Sequence, residues 1–174
     1  IGSEMRKDAV MAVIIATICM LIYIAIRFKD VKFGSSAIIA LINDVLVVFA
    51  AYSVGRLSVG GPFIACMLTI IGYSINSTIV IFDRIRENLK LQTIRTRDDI
   101  KALVNQSISS TLVRTINTSL TTFVMVLALF ICGVSSLREF ALALMVGVIG
   151  GAFSSVFLTG PLWYMMKTRI GSDV

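Results

Sequence analysis

The sequence contains no histidine, only two prolines and few charged residues for its length. Without histidine, the chain cannot by itself form a histidine metal site, a Ser-His-Asp triad or a histidine proton relay. Charged residues make up 15% of the 174 residues and hydrophobic residues 57%, whereas soluble domains have about 25% charged and about 45–50% apolar residues. The composition therefore indicates an integral membrane protein.

Cysteine is also scarce, and the excess of positive charge has a simple explanation in a membrane protein. Cys19, Cys66 and Cys132 all lie within apolar runs, which argues against a disulfide framework. The formal net charge is +6, but the basic residues flank apolar runs, as the positive-inside rule describes. We therefore expect these basic residues to lie beside the lipid bilayer and to bind no nucleic acid.

Five apolar runs approach or exceed the roughly 20 residues that a helix needs to cross a bilayer. The sequence thus predicts an all-α membrane protein with five spans: Ala9–Phe28, Ser35–Val54, Pro62–Phe82, Ser110–Val134 and Phe140–Met166. The segment from Asp83 to Gln106 is predicted to be the one long loop. Its apolar residues fit either a short amphipathic helix on the cytoplasmic surface or a solvated loop; they are Ile94, Ile100, Leu103 and Val104.

The basic residues beside the spans predict the orientation of the chain. One set of alternate segments carries eleven of them: Arg27, Lys29, Lys32, Arg84, Arg86, Lys90, Arg95, Arg97, Lys101, Lys167 and Arg169. The other set carries four: Arg6, Lys7, Arg56 and Arg138. This bias predicts an external amino terminus and a cytoplasmic carboxyl terminus. Five helices that begin outside are an odd arrangement, so we expect an upstream helix to be missing or to lie on a preceding part of a longer chain.

Two ionisable side chains lie inside predicted spans. Asp44 is near the middle of the second span, where a carboxylate costs roughly 2.5–3.5 kcal/mol by insertion scales. It is expected to be protonated or hydrogen-bonded to another helix together with Asn43, and both a structural and a functional role remain open. Arg114 either holds an anionic partner in the protein interior or extends to the cytoplasmic interface.

Other polar and small residues follow helical spacings. In and just before the fourth span, a polar stripe comprises Ser107, Ser110, Thr111, Arg114, Asn117, Thr118, Thr121 and Thr122. In the fifth span, small residues predict close helix packing; they are Gly147, Gly150, Gly151, Ser154 and Ser155. At about 1.5 Å per residue, Asp44, Ser77 and Arg114 all fall in the inner half of the membrane, so one polar cluster is geometrically possible.

The segment Gly72–Asn88 begins in an apolar run, carries several polar residues at membrane depth and ends in a charged cluster. It strongly resembles the signature of the SecF family, which includes the SecF half of fused SecDF chains. Weaker matches follow in the family's order and extend the resemblance to essentially all 174 residues: Tyr23–Phe28, Asn43–Val45, Thr111–Thr115, Thr118–Thr122 and Gly160–Trp163.

The resemblance implies a fold and a domain organisation. SecF proteins resemble half of an RND-type transporter, with six transmembrane helices and an external domain after the first. Residues 1–174 would then be a single transmembrane domain matching helices two to six, without the first helix and the external domain. This accounts for the odd predicted topology.

The resemblance also implies a function without enzymatic activity. The chain would sit in the bacterial inner membrane and, with SecD, use a cation gradient to help move preproteins through the SecYEG channel, with YajC and YidC as further partners. Half of another RND-type exporter, for lipids or drugs, is the alternative. An intramembrane protease fits poorly, because histidine is absent and only Asp44 lies deep in a span.

Among the site residues that the resemblance implies, Asp44 and Arg114 match an Asp and an Arg of the family, and Asn76 and Thr118 lie in matched motifs. Ser77 stands where the family carries an Asp, and Asn43 stands where it often carries a His. No cofactor is expected apart from the coupling cation, H⁺ or Na⁺. Because serine does not titrate near neutral pH, three explanations remain open: coupling by Asp44 with acidic groups of SecD, a Na⁺-coupled variant, or a degenerate or engineered site.

Overall fold

The computed structural model describes residues 2–28, 31–57, 60–94 and 96–170, and helices contain nearly all of them. The helices are α1 (Gly2–Phe28), α2 (Val31–Gly55), α3 (Gly61–Leu91), α4 (Arg97–Cys132), α5 (Ser135–Ser154) and α6 (Gly160–Ile170). A π-helical segment, Ser155–Thr159, joins α5 directly to α6. Because these last three elements form one continuous rod, the predicted all-α bundle of five long helices is confirmed. Lys29 and Arg95, two of the basic residues used for orientation, lie outside the described residues.

Four stretches of the described chain are long and apolar enough to cross a membrane: Lys32–Gly55, Gly61–Leu91, Arg97–Cys132 and Leu137–Thr168. They correspond to the second to fifth predicted spans. The shorter apolar stretch Val10–Ile24 lies within α1 and corresponds to the first. The lengths and apolarity of these helices are those of a multi-pass membrane protein.

The prediction of a long loop between the third and fourth spans is wrong. α3 continues to Leu91 and α4 already begins at Arg97, so only a short turn connects them. Thr96 and Asp99 form a capping box that begins α4, with each side chain accepting a hydrogen bond from the other residue's backbone N–H. The alternatives of a surface helix and a solvated loop both fail, because Ile100, Leu103 and Val104 belong to α4 itself and only Ile94 lies in the turn.

Burial explains why α4 begins so early. Ile100, Leu103 and Val104 are almost fully buried, in one core cluster with Phe82 and Trp163. Their spacing of one, three and four residues places them on one face of a continuous helix. The surrounding charges suggested a surface segment in the sequence, but those charges lie on the other faces of the same helix.

Close packing of α5 organises the centre of the bundle, as its small residues predicted. α5 packs against α2, α3 and α4. A Cβ atom at Gly147 would lie 2.5 Å from Ile70 Cδ1 of α3, and one at Gly150 would lie 2.9 Å from Val47 Cγ1 of α2. The glycines therefore serve contacts within this chain, and their face is already covered.

Candidate functional site

The first group of polar side chains lies where α2, α3 and the end of α5 meet, and we call it the junction; it consists of Asp44, Ser74 and Ser154. All three residues are buried, with relative exposures of 1%, 0% and 0%. Ser74 Oγ donates a hydrogen bond to Asp44 Oδ2. The side chains of Ser154 and Asn43 also lie close to the carboxyl group. Asp44 Oδ1 is buried and has no hydrogen-bond partner among the described residues.

The local backbone explains how three helices reach this point. A Cβ atom at Gly151 would lie 3.6 Å from Ser74 Cβ, so the glycine lets α5 approach α3 closely beside the carboxyl group. The π-helical segment begins directly after Ser154, and Thr159 Oγ1 donates a 3.4 Å hydrogen bond to the Ser154 carbonyl oxygen. Single π-helical turns within α-helices are frequent at functional sites.

The second group lines a cavity of about 130 Å³ between α3 and α4, and we call it the α3–α4 cavity. Four of the six site residues named from the sequence line it: Asn76, Ser77, Arg114 and Thr118. Val80 and Thr115 complete the lining. Ser77 is buried, whereas Asn76, Arg114 and Thr118 are exposed on the surface of this chain.

A larger cleft of about 440 Å³ continues from the cavity towards the charged end of α3, and Arg114 lines both. The acidic residues of the cleft already have partners. Asp83 Oδ2 lies 3.1 Å from Arg27 Nη2, and Glu87 Oε2 lies 2.7 Å from Arg84 Nη1. Within the described part of the chain, the Arg114 guanidinium forms neither an ion pair nor a hydrogen bond. Arg114 is thus a permanent cation that this chain leaves without a counter-charge.

The structure divides the polar stripe of α4 into two sides. Ser107, Thr111 and Thr115 are buried, and Ser107 Oγ accepts a 2.8 Å hydrogen bond from Asn88 Nδ2 of α3. The remaining side of the stripe is exposed and contains Ser110, Arg114, Asn117, Thr118 and Thr121. Arg114 is thus exposed on the surface of this chain, and an anionic partner from another subunit stays a prediction.

The single cluster that the sequence allowed is in fact two groups. Asp44 and Asn43 are at the junction, away from Arg114, and no Asp44–Arg114 ion pair forms between the described residues. The groups meet along α3, where Ser74 belongs to the junction and Ser77 to the cavity. Three residues of α-helix separate them by about 4.5 Å along the axis.

Sequence reasoning missed Ser74 and Ser154 as partners of Asp44. Ser74 was visible within the Gly72–Asn88 motif, but nothing in that motif states which helix it faces. For Ser154, the sequence indicates only a small residue suited to close packing. The pairing depends on which helices are neighbours, a property that hydropathy and spacing do not contain. No group of three or more His, Cys, Asp or Glu side chains suited to a metal ion occurs in the described ranges.

Fold and site together define a class: a multi-pass α-helical membrane protein with a buried carboxyl group and an open polar cavity within its spans. Comparison with known families narrows this class. The profile of the family described as "Protein export membrane protein SecD/SecF, C-terminal" matches residues 1–169. The chain belongs to this SecD/SecF family.

Individual relatives support the assignment. The chain is 44% identical over 169 residues to the protein translocase subunit SecF of Alicyclobacillus acidocaldarius, covering 97% of this chain and 54% of that protein. It is 47% identical to the protein translocase subunit SecDF of Thermus thermophilus, covering 97% of this chain and 22% of that protein. The chain thus spans about half the length of the SecF relative and under a quarter of the SecDF relative.

Solved structures agree with the sequence relatives. The crystal structure of SecDF from Thermus thermophilus matches 97% of this chain and 23% of that chain with a TM-score of 0.89 at 47% identity. A SecDF crystal structure in a super-membrane-facing form matches 98% of this chain and 23% of that chain, with a TM-score of 0.84 at 45% identity. The arrangement of the helices is therefore similar to that of part of SecDF.

Proposed function

We propose that this chain is the membrane domain of a Sec protein-export subunit, either a separate SecF or the SecF half of a SecDF chain. The observation that carries the proposal is the likeness to Thermus thermophilus SecDF, which extends over 97% of the chain at a TM-score of 0.89. It includes both helices that line the α3–α4 cavity. In this role the chain is a non-enzymatic subunit that assists the movement of preproteins through the SecYEG channel, and YajC and YidC are further candidate partners.

The exposed side of α4 supports a partner subunit. Arg114, Asn117, Thr118 and Thr121 are exposed there, although α4 is apolar enough to span a membrane. Polar side chains within a span face protein or water rather than lipid. We infer that SecD covers this side and supplies the carboxylate that Arg114 lacks. Pairing with SecD through the small residues of α5 is disfavoured, because Gly147 and Gly150 already pack within the chain.

Coupling to a cation gradient, of H⁺ or Na⁺, is the second part of the proposal. Its candidate residues are the six named from the sequence, which lie at or beside the junction or line the cavity: Asn43, Asp44, Asn76, Ser77, Arg114 and Thr118. Ser77 offers a neutral hydroxyl to the cavity, and hydroxyl groups do not titrate near neutral pH. Asp44 is the one acidic residue that is buried among the described residues, so it is the candidate for a titrating step at membrane depth, and further acidic groups would come from SecD.

Co-purification from native membranes tests the partner. SecD should accompany the chain, and Thr118→Trp should weaken that association because it places a bulky ring on the exposed side of α4. Ile15→Trp is the matched control, since Ile15 is exposed on α1, which packs against α2 and α3 instead. Equal loss of SecD in both variants, or a monodisperse chain that supports export without SecD, would refute the proposed interface.

The proposed location is the bacterial inner membrane, with the α3–α4 turn and the carboxyl terminus in the cytoplasm. Gln92 is exposed at this turn, and Ser135 is exposed at the opposite end of α4. In a cysteine-free background, a membrane-impermeant thiol reagent should label Ser135→Cys in sealed cells. Gln92→Cys should react only after the membrane is permeabilised. The reverse pattern would overturn the orientation.

A further inference from the structure

The last span of the chain contains an irregular turn, the π-helical segment Ser155–Thr159 between α5 and α6, and we call it the π-turn. Its backbone hydrogen bonds reach back five residues instead of the four of an α-helix, so the π-turn holds one residue more than the α-helical turn that could replace it. Such turns are rare within α-helices, and they are frequent at functional sites. The extra residue therefore needs a physical explanation.

Pro161 gives a local reason for the π-turn. Because α5, the π-turn and α6 form one continuous rod, this proline lies inside a helix. A proline there lacks the N–H donor, and its ring collides with the carbonyl group four residues earlier, which is that of Phe157 within the π-turn. Thr159 Oγ1 donates a 3.4 Å hydrogen bond to the carbonyl oxygen of Ser154, so a side chain also bonds the backbone across the turn. The sequence thus favours a departure from the α-helix at this point.

The helices on both sides of the π-turn are fixed by separate contacts. On the amino-terminal side, glycines of α5 pack directly against α2 and α3. On the carboxyl-terminal side, a Cβ atom at Gly160 would lie 2.6 Å from Ile108 Cδ1 of α4. Trp163 of α6 is fully buried, and its ring stacks on that of Phe33 with 5.0 Å between the ring centroids. The π-turn therefore joins two separately packed parts of one span.

The packing of these two parts does not require the extra residue. Removing one residue from a π-turn gives an α-helical turn, and the helices on either side then keep nearly the same orientation about the axis. A regular helix that is one residue shorter would therefore place the glycines of α5 and the buried side of α6 against the same neighbours. Phe157 within the turn is 61% exposed, so its side chain faces away from the core. An unfavourable geometry that packing does not require is expected where function uses it.

The position of the π-turn indicates which parts of the molecule a movement there would connect. Ser154 directly precedes the turn, is buried, and its side chain lies close to the carboxyl group of Asp44. Beyond the turn, α6 packs against α2 and α4, and α4 carries Arg114 and one wall of the α3–α4 cavity. A change in the hydrogen bonding of the turn would therefore move Ser154 relative to Asp44 at one end and α6 relative to α4 at the other.

We propose that the π-turn is the hinge of the last span, at which α6 moves relative to α5 during export. At this hinge, backbone N–H groups change their acceptors between the carbonyl group five residues earlier and the one four residues earlier, and the extra residue shifts along the helix. The hinge links the contact between Ser154 and Asp44 to the packing of α6 on α4. The proposal rests on the function proposed above and gives the last span a mechanical role within it.

A variant that straightens the span tests the hinge in the complete complex with SecD. Deletion of Phe157 combined with Pro161→Ala removes both the extra residue and the ring that disturbs the helix. Pro161→Ala alone is the matched control, because it keeps the extra residue and so the π-turn. We expect both variants to assemble with SecD at the wild-type level. In lipid vesicles, the deletion variant should export only at the rate seen without a gradient, whereas Pro161→Ala should keep its gradient-dependent export.

Hydrogen-exchange mass spectrometry of the purified complex measures the hinge independently of export. Backbone amides of residues 155–160 should exchange more slowly in the deletion variant than in the wild type and in Pro161→Ala. Deletion of Ile149, which is 59% exposed in the regular part of α5, shifts the packing by one residue and should prevent assembly. The proposal is overturned by equal exchange, by wild-type export in the deletion variant, or by an assembly defect like that of the Ile149 deletion. Wild-type export that ignores the gradient would instead refute the proposed coupling, while the exchange difference would still support the hinge.

Discussion

The junction and the α3–α4 cavity lie one helical turn apart on α3, yet they differ in how far this chain encloses them. At the junction, Asp44, Ser74 and Ser154 are enclosed by helices of this chain, and glycines of α5 bring those helices together. At the cavity, Arg114 and Thr118 are exposed on α4, and the guanidinium of Arg114 has no ion-pair partner within the described residues. The chain encloses the junction, and it leaves the cavity open on one side.

The junction and the cavity should depend on a larger assembly in different ways. A site enclosed by its own chain responds mainly to changes in internal packing. A site left open by its own chain gains its counter-charge and its shielding from lipid only when another subunit covers it. Substitutions at the junction should therefore affect folding first, and substitutions at the cavity should affect assembly and export with little effect on folding.

The largest effect on stability is expected from Gly147→Ala. The new Cβ would lie 2.5 Å from Ile70 Cδ1 and 3.0 Å from Val48 Cγ2, and both residues are buried. Such overpacking typically costs about 1–3 kcal/mol. Thermal denaturation of the purified complex in detergent measures the change. Gly72→Ala is the control, because its nearest neighbour, Met20 Cε, lies 3.9 Å away, so this variant should be neutral or slightly stabilising. Equal melting temperatures for the two variants would contradict the enclosed packing of α5.

Arg114→Met should reduce gradient-dependent export to the level seen without a gradient, at normal expression and stability. The side chain forms no hydrogen bond or ion pair with the described residues, so its removal leaves internal contacts intact while depriving a partner carboxylate of its counter-charge. Val113→Met, at the adjacent exposed residue, controls for the new side chain. Unchanged export in Arg114→Met would favour an arginine that only extends to the interface.

The contrast between the two regions also marks how far the sequence could predict the structure. Hydropathy located the five long helices because lipid requires long apolar helices, and the small residues of α5 correctly predicted close packing. The predicted start of α4 was wrong because it depends on distant contacts: Ile100 and its buried neighbours pack on remote parts of the chain, including Trp163. Four of the six residues named from the sequence line one cavity, but their separation from Asp44 and Asn43 depends on helix rotation, which buries Thr115 and leaves Arg114 exposed.

Ser77→Asp tests whether the open region can be made to titrate. A carboxylate at this position would share the cavity with Arg114, so an ion pair could form without a partner subunit. We expect higher gradient-dependent export or an altered pH dependence in vesicles that also contain SecD, with proton and Na⁺ gradients imposed separately. Asn76→Asp, at an exposed residue that lines the same cavity, tests whether the exact position matters. Export unaltered by Ser77→Asp under both gradients would show that this position does not govern coupling.

The smallest effect is expected from Tyr73→Phe, which acts on the contact between the two regions. The Tyr73 ring borders Gly151 of α5, and its hydroxyl group donates a 2.7 Å hydrogen bond to Ser119 Oγ of α4. Losing a hydrogen bond of this kind typically costs about 0.5–1.5 kcal/mol. A double-mutant cycle with Ser119→Ala, read by thermal denaturation, isolates the pair, and Tyr23→Phe on the exposed surface of α1 is the control. A coupling energy near zero would mean that junction and cavity are held in register by helix packing alone, whereas a measurable value with altered export would show that this hydrogen bond links them.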